Sequence, residues 1–314
     1  MKILVAGGSG FLGSNFCQLL LNKGHQVWAV DNLITGRKEN LDDIIDNQDF
    51  TFINQDIINP KIIEKLGETK FDVVYHLASP ASPPWYQKYP VETLEVNSIG
   101  TKNLLEIAKR NNAKFIFAST SEVYGDPLEH PQKETYWGNV NSYGARSCYD
   151  EAKRYGEAMC YTYLHKFDVD VRIVRIFNTY GPKMDPVDGR VVSNFVNQAL
   201  QGQDLTIYGD GSQTRSFCYV DDLIRGFYLM MEKDVTGQVI NLGNPSEFTM
   251  LELAELVNKK VGKSNKIIYQ ELPQDDPKKR RPDISKAQEL LGWQIEISLE
   301  VGLDKTIEYF KTVV

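Results

Sequence analysis

Lys2-Ile3-Leu4-Val5-Ala6-Gly7-Gly8-Ser9-Gly10-Phe11-Leu12-Gly13 opens the chain, and its reading decides the fold. Lys2 to Ala6 is a short apolar run that predicts a strand buried on both faces. The glycines follow at once, and Leu12 to Leu21 predicts a helix. Gly7, Gly10 and Gly13 stand at the spacing G-x-x-G-x-x-G, a variant of the dinucleotide fingerprint. Bare glycines let the backbone approach a pyrophosphate, and the helix N-terminus, here Phe11 and Leu12, stabilises its charge. A second strand, Gln26 to Val30, runs into Asp31. That carboxylate suits the ribose hydroxyls of NAD and repels a 2′-phosphate. Arg37 reads either as a 2′-phosphate partner or as a clamp on the adenosine side of NAD. Asp56, after the next strand, is placed to meet the adenine or is a plain turn residue.

Working outward, Phe50 to Ile53, Asp72 to His76, Lys114 to Ala118 and Asp170 to Ile176 are further apolar runs of strand length. Val91 to Arg110 and Ser147 to Lys166 predict long helices. Strands alternating with helices give an α/β protein with a Rossmann-type, doubly wound parallel sheet. After Phe177 the chain becomes rich in loops. Helices are expected over Val191 to Gln201, Asp221 to Glu232, Leu251 to Val261, Ile284 to Leu291 and Leu299 to Phe310. Leu205 to Gln213 reads as a strand and turn, and Asp275 to Pro282 as a charged loop. The division expected is a NAD-binding domain over 1–176 and a smaller α/β substrate-binding domain over 177–314. A segment near 215–243 is expected to return to the first, with Val239 to Leu242 as the candidate strand.

Composition narrows the function classes. A chain of 314 residues with 42% hydrophobic and 25% charged residues fits an ordinary globular protein of one large or two joined domains. The net charge of −7 argues against a nucleic-acid partner. Cys17, Cys148, Cys160 and Cys218 form no C-x-x-C pair, so neither a disulfide framework nor a metal site is expected. No run approaches a membrane span and no signal segment is recognised, so a cytoplasmic protein with no membrane partner is expected.

Tyr149 and Lys153, in Ser147-Cys148-Tyr149-Asp150-Glu151-Ala152-Lys153-Arg154, lie one turn apart on one helix face. A lysine ammonium beside a cationic nicotinamide ring is expected to pull the phenol from its usual ~10 toward neutrality, which makes a base for hydroxyl oxidation. Ser119-Thr120-Ser121-Glu122-Val123-Tyr124-Gly125 follows the fifth strand, where ligands of open α/β sheets bind. Thr120 is placed to share a proton with the substrate hydroxyl.

Together these motifs resemble the extended short-chain dehydrogenase/reductase family, in its nucleotide-sugar branch, over nearly the whole chain. Seven blocks, namely His76 to Pro84, Ser119 to Pro127, Ser147 to Arg154, Arg175 to Pro182, Gly189 to Phe195, Gly209 to Phe217 and Arg281 to Ser285, are similar to the members that decarboxylate UDP-glucuronate. The resemblance implies NAD as cofactor, a UDP-sugar as substrate and a homodimer paired through the helices at 91–110 and 147–166. It implies a nicotinamide site at Thr120, Tyr149, Lys153, Thr179 and Arg190. The adenosine end falls on Asp31, Asn32, Leu33, Thr35, Gly36, Arg37, Asp56 and Ile57, with Leu77 and Ser79 at the middle of the cofactor. Asn178, Asn194 and Arg215 fall at the nucleotide diphosphate, Tyr86 and Tyr208 on the substrate, and Arg280 near the sugar carboxylate.

The chemistry implied is oxidation at C4 to a β-keto acid, loss of CO2 to an enolate, protonation at C5 and re-reduction to UDP-xylose. Glu122 is expected to handle a proton or water, and Ser121 to contact the carboxylate. The alternatives are a nucleotide-sugar 4,6-dehydratase, which carries Asp-Glu where this chain has Ser121-Glu122, and a 4-epimerase, which has no use for Arg280. The sequence departs from the family's pattern at Gly144-Ala145-Arg146, where Gly-Pro-Arg is usual. It departs again at Glu151-Ala152-Lys153, where Glu-Gly-Lys is usual, and at Glu95-Val96-Asn97, where Lys-Thr-Asn is commoner. Loss of a lysine at position 95 leaves open how the carboxylate is held and admits a related uronate.

Overall fold

The strand β1 (Lys2–Ala6) places Leu4 and Ala6 in one hydrophobic cluster and Ile3 and Val5 in another. Alternate side chains of a strand point to opposite faces, so a run apolar at every position must be covered on both. The same holds for β2 (Gln26–Asp31), β3 (Phe50–Asn54), β4 (Val73–His76), β5 (Lys114–Thr120) and β6 (Val171–Ile176). A computed structural model of the chain describes residues 1–271 and 279–314. In it these strands and β7 (Val239–Leu242) form one parallel sheet in the order β3-β2-β1-β4-β5-β6-β7. The strand order reverses beside β1, so a crevice opens at the carboxyl ends of β1 and β4.

The helices α1 (Phe11–Asn22) and α4 (Val220–Glu232) cover one face, where Phe16, Leu20, Leu223 and Phe227 pack with Ile3, Val5 and Tyr75. The helices α2 (Thr101–Asn111) and α3 (Ser147–Phe167) cover the other, where Leu104, Leu105, Ala108 and Cys160 pack with Leu4, Val74 and Phe117. Each large apolar side chain so buried contributes roughly 1.5–3 kcal/mol.

The helix expected over Val91 to Arg110 is continuous but not uniform. It begins as Pro90–Glu95, widens to a π turn at Val96–Gly100 and resumes as α2. Side chains explain the widening. Asn97 Nδ2 donates to Thr93 O at 2.9 Å, Thr101 Oγ1 donates to Asn97 O at 2.8 Å, and Ser98 Oγ donates to Leu94 O at 2.6 Å. Side chains that claim helix carbonyls compete with the regular ladder.

β6 also carries Arg172, which is 2% exposed. Its guanidinium donates to Met230 O at 2.5 Å and Lys233 O at 2.6 Å, and forks onto Asp170. Lys114 Nζ adds a bond to Met231 O at 2.8 Å. Two cations therefore close the C-terminus of α4, where helix carbonyls are unsatisfied and the dipole is negative. Arg172→Met should cost about 3 kcal/mol, because it strands buried carbonyls and Asp170. Chemical denaturation followed by circular dichroism would measure this; a loss below about 1 kcal/mol would assign the anchoring to Lys114 alone.

Beyond β6 the chain builds a second layer around the crevice. Thr214–Ser216 pairs antiparallel with Glu247–Thr249 and parallel with Lys279–Arg280, and Leu205–Tyr208 pairs with Ile267–Gln270. The helices Val191–Gln201, Met250–Val261, Ser285–Leu291 and Leu299–Val313 support these strands. The charged loop expected over Asp275 to Pro282 lies partly outside the described residues; within them, Lys279–Arg280 is a strand. The four cysteines are free, and no helix among the described residues is long and apolar enough to cross a membrane.

Candidate active site

The glycine turn holds its shape through close backbone approach. Gly7 has φ +83°, and a Cβ there would meet Ala78 N at 2.6 Å. A Cβ on Gly13 would overlap the carbonyl of Gly7. Gly13→Ala must therefore push α1 off the turn. It should abolish NAD binding by titration, lower thermal stability by ~2 kcal/mol, and show wild-type affinity only if the turn can shift freely.

Beside the turn, the Asp31 carboxylate accepts from Ser9 N at 3.0 Å and Leu33 N at 2.9 Å. Asn32 Nδ2 donates to Asp56 Oδ2 at 2.7 Å, and Ile58 N bonds the other Asp56 oxygen. Arg37 forms a loose ion pair with Glu39, and Arg37 N donates to Ser9 O. Gly7, Gly10, Asp31, Asn32, Thr35, Gly36, Asp56, Ile57, Leu77 and Ser79 line one cavity. A bare turn at a helix N-terminus, next to a fixed acceptor carboxylate and an apolar slot, fits the adenosine and pyrophosphate of a dinucleotide.

A second, larger cleft of about 590 Å³ opens beside it. β5 delivers Thr120 to its floor and α3 delivers Tyr149. The Thr120 hydroxyl lies close enough to the Tyr149 hydroxyl to favour its ionised form, and it accepts from Glu122 N at 3.2 Å. Tyr86 stacks on Tyr149 with ring centroids 5.1 Å apart and planes 7° from parallel. Lys153 Nζ donates to Ala118 O at 2.9 Å and lies 5.8 Å from the Tyr149 ring centroid. Leu12, Tyr86, Asn178, Thr179, Arg190, Asn194, Tyr208 and Arg215 all reach this cleft. Asn194 is oriented by its bond to Gly189 O, and Arg190 by Asp188 beneath the Phe11 ring. The buried Tyr86 hydroxyl has no partner among the described residues. Lys153 lies behind Tyr149 and is buried.

The electrostatics show what the protein alone contributes, without the nicotinamide charge. The protein's own groups do not pull Tyr149 toward neutrality. Burial pushes its hydroxyl well above the ordinary phenol range, against the nearby Thr120 hydroxyl. Burial likewise pulls Lys153 down to about 7. Desolvation disfavours whichever form is charged, and at this depth it is the largest influence on both groups.

Beside Thr120 and Tyr149 sits a charged cluster. Arg146 Nη2 donates to Glu122 Oε2 at 2.5 Å, and Arg280 Nη1 pairs with Glu122 Oε1. Arg280 also bonds Gly125 O at 2.8 Å and reaches Ser121 Oγ at 3.4 Å. Burial alone would raise Glu122, but the two guanidinium groups override it and hold it down at about 2. This narrows the expectation for Glu122: an ionised carboxylate can orient water but holds no proton to give near neutrality. Arg280 is anchored to Glu122 rather than free in the cleft. Sequence reasoning did not give Arg146 a role; its position directly before the helix that carries Tyr149 was the available signal. Glu95, the departure from the family pattern, is half-buried and lines neither cavity, whereas its neighbour Val96 borders the dinucleotide cavity.

Comparison with known proteins agrees with this geometry. The NAD dependent epimerase/dehydratase family matches residues 3–243. The chain is 52% identical over 310 residues to UDP-glucuronic acid decarboxylase 1 of Xenopus tropicalis, covering 99% of this chain and 72% of that protein. It is equally 52% identical to UDP-glucuronic acid decarboxylase 1 of Arabidopsis thaliana, covering 99% and 70%. Among solved structures, the UDP-glucuronic acid 4-epimerase from Bacillus cereus, in complex with UDP-glucuronic acid and NAD, superposes with a TM-score of 0.91. Its identity is 34%, and each chain is fully covered.

Proposed function

The chain belongs to the NAD dependent epimerase/dehydratase family, and from that premise we propose that it decarboxylates UDP-glucuronate to UDP-xylose. The observation that carries this reading is that Tyr149 and Thr120 line the same cleft as the Arg280–Glu122–Arg146 cluster. An acid–base pair alone serves any sugar oxidation. A guanidinium-rich end suits a sugar that carries a carboxylate.

The glycine turn and Asp31 would hold NAD, which when bound would supply the acceptor and later the donor of the C4 hydride. Tyr149 takes the C4 hydroxyl proton, and Thr120 relays its hydrogen bond. The resulting ketone is β to the C6 carboxylate, so the C5–C6 bond breaks with its electrons delocalised onto the C4 oxygen. Tyr149 and Thr120 sit where that oxygen develops charge and stabilise it. Arg280 and Ser121 hold the carboxylate until it leaves as CO2. Glu122, ionised, orients the water that protonates C5, and the hydroxide left behind is taken up by the released CO2 as bicarbonate. Tyr149 then returns its proton to O4. Asn178, Asn194 and Arg215 hold the diphosphate, while Tyr86 and Tyr208 face the sugar and base. Ser121 is no acid for a C6 hydroxyl, which disfavours 4,6-dehydration. Val91, Leu94, Ile99, Tyr155 and Tyr161 are exposed on the helices at 91–110 and 147–166, which supports a homodimer through that face.

Incubating the protein with NAD and UDP-glucuronate, with CO2 and the sugar product followed by NMR, tests the reading. One CO2 per UDP-xylose and no net NADH is the expected result. A product epimerised at C4 with its carboxylate retained would overturn it.

A further inference from the structure

Asp150 follows Tyr149 in the first turn of α3, and the chemistry above makes no use of it. It is buried, and its Oδ1 has no hydrogen-bond partner among the described residues. Its Oδ2 lies 3.9 Å from Arg146 Nε, on the same guanidinium whose Nη2 holds Glu122 at 2.5 Å. The other Glu122 oxygen faces Arg280. Two guanidinium groups, one committed carboxylate and one uncommitted carboxyl thus share a desolvated pocket. Its open side, lined by Ser121, Glu122, Arg146 and Arg280, is the sugar cleft. An acidic residue in a first helical turn usually just complements the helix dipole, and that role drives its pKa down. Asp150 goes the other way: burial and the neighbouring Glu122 push it up to about 7, against Arg146 and Arg280.

We propose that Asp150 is a positioning residue that sets the charge of the carboxylate-binding end by sharing Arg146 with Glu122. Protonated, it leaves the pocket with one net positive charge, which the carboxylate of a uronate neutralises. Ionised, it cancels that charge and draws Arg146 away from Glu122. This rests on the uronate reading above. The groups that face Asp150 are Glu122 from the turn after β5, Arg280 from the strand Lys279–Arg280, and Arg146 and Glu151 on its own segment. Tyr86, Cys148 and Tyr149 are the uncharged titratable neighbours. It follows that binding a uronate takes up a proton above the pKa of Asp150, whereas binding the neutral sugar does not.

The test is calorimetric titration of the NAD-loaded Tyr149→Phe protein, in which substrate does not turn over. UDP-glucuronate and UDP-glucose are compared across neutral pH in buffers of different ionisation enthalpy. The affinity for UDP-glucuronate should fall roughly tenfold per pH unit above the Asp150 pKa, with uptake approaching one proton, while UDP-glucose shows neither effect. Adding Asp150→Asn should flatten the profile and remove the uptake. No proton uptake in the Tyr149→Phe protein overturns the proposal without recourse to the second variant. An unchanged pH slope in Asp150→Asn overturns it too. UDP-glucuronate binding no tighter than UDP-glucose at the acid end would instead remove the uronate reading itself.

Discussion

Tyr149→Phe lowers kcat about 10³-fold while leaving the fold and the affinity for NAD unchanged. The substitution removes only the hydroxyl. The ring that stacks on Tyr86 at 5.1 Å stays, so the cleft keeps its wall. No neighbour inherits the proton. Lys153 Nζ is committed to Ala118 O, and Thr120 keeps only a neutral hydroxyl. Because burial raises the free-protein pKa of Tyr149, the hydroxyl needs positive charge from bound cofactor to act as a base, and removing it forfeits that coupling entirely. Single-turnover absorbance of the reduced cofactor checks this. The burst of reduction should vanish, and a variant that still reduced NAD within tenfold of wild type would place the base elsewhere.

Arg280→Met is expected to cost about 3 kcal/mol of stability and to raise KM for UDP-glucuronate by ~100-fold, with a smaller effect on binding of UDP-glucose. Arg280 is 3% exposed and is one of two cations that keep Glu122 ionised. Without it, Arg146 must hold the buried carboxylate alone. The stability loss carries its own pH signature. Glu122 is depressed in the folded state, so its contribution is present above its unfolded value near ~4.3 and is lost as pH falls toward about 2. The gap between wild type and Arg280→Met should therefore narrow as pH drops through that window. A gap that stayed constant would mean the loss comes from packing rather than from the ion pair.

The parallel sheet was legible because its strands are mostly apolar on both faces and its first turn needs glycine for a backbone reason. Tyr149, Lys153 and Thr120 were legible because they share one helix face or one strand end. Other features were not. Pro83–Lys88 forms a helix not assigned from the sequence, although its two leading prolines fit a first turn well. Lys279–Arg280 and Glu247–Thr249 are too short for periodicity to register, and they exist only because they pair with Thr214–Ser216. The π turn hides inside an unbroken helical pattern. The cluster that joins Glu122, Arg146, Asp150 and Arg280 draws on three distant segments, so no local spacing announces it. Spacing places Lys153 near Tyr149 but does not report desolvation, which raises the Tyr149 hydroxyl while no charged nicotinamide is beside it.

β7 has a consequence for how the protein is made. The strand comes from residues 239–242 yet completes a sheet whose other six strands end at Ile176. On a ribosome, the glycine turn, Thr120, Tyr149 and Lys153 all emerge while β6 still presents an open, apolar edge. At about 5–20 residues per second, the detour from 177 to 238 leaves that edge unsealed for roughly 3–12 seconds. Unpaired edges of this kind invite association between nascent chains. A truncated chain that keeps every dinucleotide-binding residue but stops at Ile176 would make the exposure permanent. Such a fragment should aggregate rather than bind NAD, and the second half of the gene product should serve as the chaperone of the first.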